Sequence, residues 1–299
     1  MKIKSIITAI VLIVFFINCN AQNEKKEINF SELSGPYLGQ KPPGITPELF
    51  APNIISRKDY FEHSAAIFSP DMKEVYWSGK PNGTRYFEIN VMKEINGIWT
   101  EQVITFSHKE YSFSNPVFSP DGNKLFFDSR ADIWFVERKG DNWSVAVKVS
   151  SLINTDGSEA ILSITDDGSI YFLRYNANAS REGRKHEMYV SRKIDGNYTE
   201  PVKLGKIINS DDQRECGLFV APDESYLILE SVKDNRSSDL FICYKMKDAS
   251  WSKRINLNLG WARFPSISPD GKYLFYMSRE GINWVSTLFI EELRPKNLK

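Results

Sequence analysis

Seven side chains of the kinds that bind charged or flat ligands occupy equivalent places ahead of a recurring turn. Three consecutive positions, counted back from each turn, differ from copy to copy, and each copy has at least one acidic, basic or aromatic residue there. These candidate residues are Glu62, His63, Glu159, Arg214, Glu215, Trp261 and Arg263. Carboxylates with arginines can recognise a zwitterionic or sugar-like group, and a tryptophan can stack on a flat face. The alternative is that these charges pair with one another and bind nothing.

Motifs of dedicated catalysts are missing from the sequence. The three histidines are not at ligand spacing, so we predict no metal site and no cofactor. There is neither a Gly-x-Ser-x-Gly elbow nor a glycine-rich phosphate loop, and we assign no catalytic residue. The alternative is a carbohydrate-active hydrolase or lyase that uses a carboxylate pair drawn from Glu62, Glu159 and Glu215.

The charge balance restricts the kind of partner. The 299 residues carry 38 Lys and Arg against 38 Asp and Glu. Proteins that bind nucleic acid usually carry an excess of basic residues that neutralises phosphate, so nucleic acid is excluded as a partner. We therefore expect a non-catalytic binding module that presents a loop face and a channel mouth to a protein or a glycan.

The turn that positions the candidate residues recurs five times. Its aspartates are Asp71, Asp121, Asp167, Asp223 and Asp270, about 50 residues apart. An almost continuous apolar and aromatic strand follows each turn, and two further strands complete each unit. Four-stranded units at this period predict an all-β β-propeller, with five blades and six as the alternative. The aspartates themselves are expected to fix the turns through bonds to the backbone.

One repeat motif resembles a known family. Ser-Pro-Asp-Gly-x-x-Leu-x-Phe-x-Ser-Arg at 119–130, and a close variant at 268–279, resemble the TolB-like, WD40-like propeller repeat of exported bacterial proteins. The resemblance implies the propeller fold and extends over roughly 47–293. It does not imply one activity, because the family includes interaction modules and enzyme domains.

The fifth unit has three strands, and the fourth is expected from the other end of the chain. We predict that the segment 48–54 pairs with the last blade as its outer strand, which closes the ring and removes a free edge. The predicted organisation is a signal peptide at 1–21, a leader at 22–44, the propeller at 45–293 and a tail at 294–299.

The N-terminus is typical of export. Lys2 and Lys4 precede an apolar run of 12 residues, which is too short to span a bilayer because that takes ~20. Cleavage after Ala21 would release a protein into the periplasm, whereas lipidation of Cys19 would anchor it at the cell envelope. The two remaining cysteines, Cys216 and Cys243, fall on non-adjacent strands of one blade, so we expect free thiols.

Overall fold

The sheets form a closed ring of five blades. The computed structural model describes residues 33–298 except 103, 105, 107–110, 176–185, 212, 213, 235 and 236. Five antiparallel sheets follow one another along the chain, and the first strands of neighbouring sheets contact one another around the axis. The predicted all-β propeller with five four-stranded blades is thus confirmed. The predicted signal peptide and the lipidation site at Cys19 lie outside the described residues.

The strands are short, and a single α-helix follows the last of them within the described part of the chain. In chain order the strands are β1 Glu48–Leu49, β2 Tyr60–Glu62, β3 Ile67–Phe68, β4 Glu74–Pro81, β5 Glu88–Ile95, β6 Ile98–Gln102, β7 Ser114–Phe118, β8 Lys124–Ser129, β9 Asp132–Lys139, β10 Asn142–Trp143, β11 Val147–Lys148, β12 Ser158–Ile164, β13 Ile170–Tyr175, β14 His186–Ser191, β15 Lys193–Ile194, β16 Asn197–Tyr198, β17 Val202–Lys203, β18 Arg214–Val220, β19 Tyr226–Asp234, β20 Ser237–Tyr244, β21 Ile255–Asn256, β22 Arg263–Ile267, β23 Tyr273–Met277 and β24 Ile282–Ser286. The helices are α1 Leu288–Leu293 and two 3-10 turns, Pro36–Gly39 and Lys296–Leu298.

In each blade the first strand lies at the centre of the ring and the fourth strand lies at its outer edge. Blade 1 consists of β2 and β3, then β4, β5 and β6, and blade 2 of β7, β8, β9 and an outer strand split into β10 and β11. Blade 3 consists of β12, β13, β14 and β17, and blade 4 of β18, β19, β20 and β21. Blade 5 combines β22, β23 and β24 with β1 from the other end of the described chain.

The recurring turn is fixed by its own side chains, as the sequence predicts. In blade 2 the hydroxyl of Ser119 donates to Asp121 at 2.6 Å, and the same aspartate accepts the backbone N–H of Asn123 at 3.0 Å. Ser119 also accepts the N–H of Lys124, which begins the next strand. These three hydrogen bonds fix the turn, and the residue after the aspartate, here Gly122, takes a positive φ of 69°.

The ring is closed by the chain before blade 1. Glu48 and Leu49 pair antiparallel with β24, and the N–H of Phe50 donates to the carbonyl of Ile282 at 2.7 Å. The predicted closing strand is thus confirmed, although its regular part is shorter than 48–54. Residues 33–44 also contact the blades: the Tyr37 hydroxyl donates to Asp270, and the Trp99 indole donates to the carbonyl of Gly35. The predicted limit between leader and propeller stays a prediction.

Both described cysteines are free. Cys216 lies on β18 and Cys243 on β20, with β19 between them. This arrangement confirms the expectation of unpaired thiols. Over the described ranges, none of the helices has the length and apolar character needed to cross a membrane.

Candidate functional site at the channel mouth

The central channel is almost filled at the level of the inner strands. The cavity on the axis has a volume of about 40 Å³ and is lined by inner-strand residues of all five blades, among them Asn115, Ile161, Gly217 and Phe264. One molecule of liquid water takes up roughly 30 Å³, so neither a sugar nor a peptide fits there. Recognition at the axis is therefore confined to the mouth, where the inner strands begin.

Glu159, at the start of β12, is engaged by its own blade. Its side chain is fully buried and accepts hydrogen bonds from the Arg174 guanidinium at 3.0 Å and from the Thr155 hydroxyl at 2.6 Å. Arg174 comes from the neighbouring strand β13, where it is the direct register partner of Glu159. It also donates to the carbonyl of Ile153 at 2.8 Å, so it fastens the preceding loop to the blade. These contacts make Glu159 a structural anchor.

Glu215 plays the same part in blade 4 with a different arginine. The Arg254 guanidinium lies 2.8 Å from Glu215, and the hydroxyl of Ser210 donates to the same oxygen at 2.8 Å. Arg254 precedes the outer strand β21 and also donates to the carbonyls of Ile207 and Ile208. One arginine thus ties the outer strand, the inner strand and the loop between blades together.

Glu62, at the end of β2, is held less firmly. Its carboxylate is buried and accepts the backbone N–H of Arg57 at 3.4 Å. Burial raises the pKa of Glu62 above its ordinary value, and hydrogen bonds from the backbone to its carboxylate offset only part of this rise. Because Glu62, Glu159 and Glu215 belong to blades 1, 3 and 4 and have separate partners, the structure does not bring them together as a pair.

Arg263 forms an ion pair with Glu230, a carboxylate that the sequence analysis did not single out. Its Nε lies 2.6 Å from Glu230, whose side chain is wholly buried on β19. The same carboxylate accepts the backbone N–H of Phe264 at 3.1 Å and the Ser238 hydroxyl at 3.4 Å. Arg263 and Glu230 therefore join blade 5 to blade 4 at the axis.

His63 lies beside this ion pair, and Arg214 is the first residue of β18. The ring of His63 packs between those of Phe87 and Phe264, at centroid distances of 4.3 and 5.0 Å. Burial, reinforced by the nearby Arg263, lowers the pKa of His63 to about 4, so the ring is neutral near neutral pH. Arg214 makes no ion pair within the described part of the chain.

Trp261 offers a partly exposed flat face at the mouth. The guanidinium of Arg279 lies 5.0 Å from its ring, and that of Arg263 lies 5.9 Å away. Trp261 and Arg214 occupy equivalent positions of neighbouring blades. Of the seven predicted residues, the structure brings His63, Trp261 and Arg263 close together, while Arg214 only holds the equivalent position in the neighbouring blade. The three glutamates are each bound within their own blade.

A repeated contact between blades escaped the sequence analysis. Ser78, Asp128 and Glu230 hold the same position on the second strands of blades 1, 2 and 4. Each accepts a backbone N–H from the next inner strand. The donors are Asn115, Ile161 and Phe264, at 3.4, 2.7 and 3.1 Å. A polar residue at one fixed place in an otherwise apolar strand, as in Phe127-Asp128, was the signal that could have revealed this joint.

Asp128 makes the joint between blades 2 and 3 sensitive to pH. Its partners are the N–H of Ile161 and the amide of Asn115, and burial raises its pKa to about 8. An unfolded aspartate ionises near 4, so between about pH 4 and pH 8 the folded state keeps a proton that the unfolded state has lost. The free energy of unfolding therefore falls as pH rises through this window.

We expect Asp128→Asn to remove that loss, because the amide still accepts from Ile161 and cannot ionise. Wild type should lose up to about 1.4 kcal/mol of stability per pH unit relative to the variant. Urea unfolding of both proteins between about pH 5 and about pH 8 measures the difference. Parallel pH profiles would contradict the assignment.

Comparison with known proteins supplies fold relatives only. No family model matches the sequence, and no curated protein matches it. Among solved structures it is similar to a putative TolB from Agrobacterium tumefaciens, at 16% identity and a TM-score of 0.46 over 71% of this chain and 68% of the other. An oligogalacturonate lyase in complex with manganese is similar at 12% identity and a TM-score of 0.45, over 81% and 68%.

A putative 6-phosphogluconolactonase from Bacteroides fragilis is similar at 15% identity and a TM-score of 0.41, over 72% of this chain and 76% of the other. Such low values carry no argument about activity, and the assignment of the fold rests on the strand topology. The chain is a five-bladed β-propeller with an almost filled channel, and Trp261 lies beside Arg263 and Arg279. Among the described residues, no three His, Cys, Asp or Glu side chains lie together as metal ligands.

Proposed function

We propose that the protein is a non-catalytic binding module whose channel mouth recognises an anionic group on a glycan or a protein. The observation that carries the proposal is that two of the three buried mouth carboxylates are already bound to arginines. Glu159 binds Arg174, and Glu215 binds Arg254. A glycosidase of the common two-carboxylate type needs two carboxylates that face one substrate, whereas Glu159 and Glu215 are each bound to an arginine.

The groups that remain for a ligand are basic and aromatic. Arg214 has no ion-pair partner among the described residues, and its guanidinium can bind a carboxylate or phosphate through two parallel bonds. Trp261 adds a flat face for a sugar ring or an aromatic side chain. Arg214 begins β18 and Trp261 lies just before β22, so the ring of sheets positions both and little conformational entropy is lost when a ligand binds. Export to the cell envelope, proposed below, would favour a glycan or protein as the source of the anionic group.

The direct test is titration calorimetry with a uronic-acid oligosaccharide and with its neutral methyl ester. We expect binding of the acid only, and a loss of about tenfold in affinity in Arg214→Ala and in Trp261→Ala. Both side chains are partly exposed, so the variants should retain the wild-type unfolding curve. Lys206→Met removes a basic residue from the exposed pair with Asp211 and serves as the control. Full affinity in both mouth variants would eliminate the mouth as the site, and an acidic peptide in the same titration covers a protein partner.

We further propose that the protein is exported, on the strength of the basic start and the apolar run before Cys19 and Ala21. Mass spectrometry of the protein from cell envelopes distinguishes a mature start at Gln22 from a lipidated Cys19. An intact Met1 would contradict export.

A further inference from the structure

A second concave site lies in blade 2 and the loop that precedes it, and its lining includes none of the seven mouth candidates. Its volume is about 570 Å³, within the roughly 300–1,000 Å³ usual for ligand pockets. Five aromatic side chains line it. They are Phe106, Phe113, Phe127, Trp134 and Trp143. Phe106 stacks on Phe127 with ring centroids 5.0 Å apart, which forms a flat inner wall.

The polar groups of this cavity are few, and most of them are already bound. The indole of Trp134 donates to the carbonyl of Ser129 at 2.8 Å, and that of Trp143 donates to the Tyr76 hydroxyl at 3.0 Å. The hydroxyl of Ser129 is different, because it is buried, lines the cavity and has no hydrogen-bond partner among the residues that the structure describes. A buried hydroxyl without a partner costs about 1–3 kcal/mol, which a ligand that bonds to it would recover.

Arg130, a basic residue at the rim of the cavity, lies on a strained turn. Arg130 and Ala131 connect β8 to β9 with φ of 52° and 68°, a left-handed conformation that residues with a side chain rarely adopt. Asparagine or glycine would suit such a two-residue hairpin turn better. The guanidinium of Arg130 lies 3.9 Å from the Tyr111 ring and makes no ion pair within the described ranges. Its edge is therefore available to a carboxylate.

The outer strand leaves the cavity open. Ser144, Val145 and Ala146 separate β10 from β11, both of which pair with β9, and Val145 is 83% exposed although it is apolar. A large exposed aliphatic side chain beside aromatic walls is typical of a surface that binds an apolar body. The interruption thus provides an entrance next to Arg130.

We propose that this cavity binds an aromatic carboxylate, with the rings between the aromatic walls, the carboxylate on Arg130 and one oxygen accepting from the Ser129 hydroxyl. A free sugar is a poorer fit, since it presents several hydroxyls to a cavity whose indole donors are both occupied. The site is separate from the channel mouth, and neither proposal depends on the other.

Calorimetry with naphthoate and with the neutral naphthyl alcohol tests the site. We expect naphthoate to bind and Arg130→Asn to weaken it about tenfold while leaving the affinity for the alcohol unchanged. Asparagine tolerates the left-handed turn, so this variant should fold at least as stably as wild type. Ser129→Ala should weaken naphthoate about threefold to tenfold yet raise the melting temperature, because it deletes the unpartnered hydroxyl. Opposite changes in affinity and stability would not follow from a merely structural serine.

Arg279→Asn is the matched control, because Arg279 stands at the corresponding turn of blade 5 beside Trp261. It should leave the affinity for naphthoate unchanged. A loss in Arg279→Asn or Trp261→Ala, with wild-type affinity in Arg130→Asn, would place naphthoate at the mouth and overturn the proposal. The absence of binding by wild-type protein would overturn it as well, and would leave the mouth proposal untouched.

Discussion

Replacing Arg263 with methionine should lower the free energy of unfolding by about 3–5 kcal/mol, because it leaves a buried charge without its partner. Glu230 is wholly buried, and Arg263 is its sole ion-pair partner within the described residues. The carboxylate cannot turn away toward water. A Cβ added at Gly217 would lie 2.6 Å from its Oε2, which shows how closely the backbone of β18 confines it. Urea unfolding of the variant measures the loss.

The companion variant separates the charge from the packing. In Arg263→Met with Glu230→Gln, the amide oxygen can still accept the N–H of Phe264, and no charge remains buried. We expect this double variant to recover most of the lost stability. Lys206→Met breaks an ion pair of similar length whose two side chains are 86% and 71% exposed, and it should cost less than about 1 kcal/mol. Equal losses in Arg263→Met and Lys206→Met would show that burial of Glu230 does not control the effect.

Variants that break a buried ion pair at the mouth lose stability as well as a possible ligand contact. Arg263 and Glu159 are attractive residues to mutate for a binding test, because both stand at divergent positions of the repeat. Each belongs to a buried ion pair, so a loss of binding in these variants would follow from unfolding as readily as from a missing contact. Arg214 and Trp261 avoid this ambiguity.

The repeat made the architecture predictable because its turns are local. Ser119, Asp121 and Gly122 determine their turn through bonds within six residues, so five similar copies predict five similar sheets. The missing fourth strand of the last blade likewise predicts a closing segment, since an open edge must be covered. Both inferences need only the order of the elements along the chain.

The partners of the mouth carboxylates could not be predicted in this way. Glu215 binds Arg254, which lies 39 residues later and enters from the outer edge of the blade. Glu159 has an arginine directly across the strand pair instead. Two glutamates at equivalent places in the repeat therefore have arginines from different strands, and only the packed blades reveal this. The cavity beside Ser129 depends similarly on an interrupted outer strand and on a left-handed turn at Arg130.

The second large effect concerns the closure of the ring. Phe50 follows β1, is fully buried, and lies 5.1 Å from the ring of Trp284 and 5.0 Å from that of Phe275 in blade 5. It also contacts Phe68 of blade 1, at 6.0 Å between centroids. One side chain thus packs against the first and the last blade. Phe50→Ala should cost about 3–5 kcal/mol, whereas the neighbouring exposed Glu48→Ala should stay within about 0.5 kcal/mol.

Removal of the whole closing segment should lower the stability by more than the loss of its individual contacts would. A chain that begins at residue 57 lacks β1 and Phe50, so the edge of β24 is free and the junction between blades 5 and 1 loses its apolar filling. Compared with a chain that begins at residue 33, it should melt at a much lower temperature and self-associate through the unpaired strand. A synthetic peptide of residues 33–56 should restore the melt in a concentration-dependent way. An unchanged melting temperature in the shorter chain would mean that the ring is held by its other junctions, because the strand pair at Glu48 and Leu49 would then contribute no net stability.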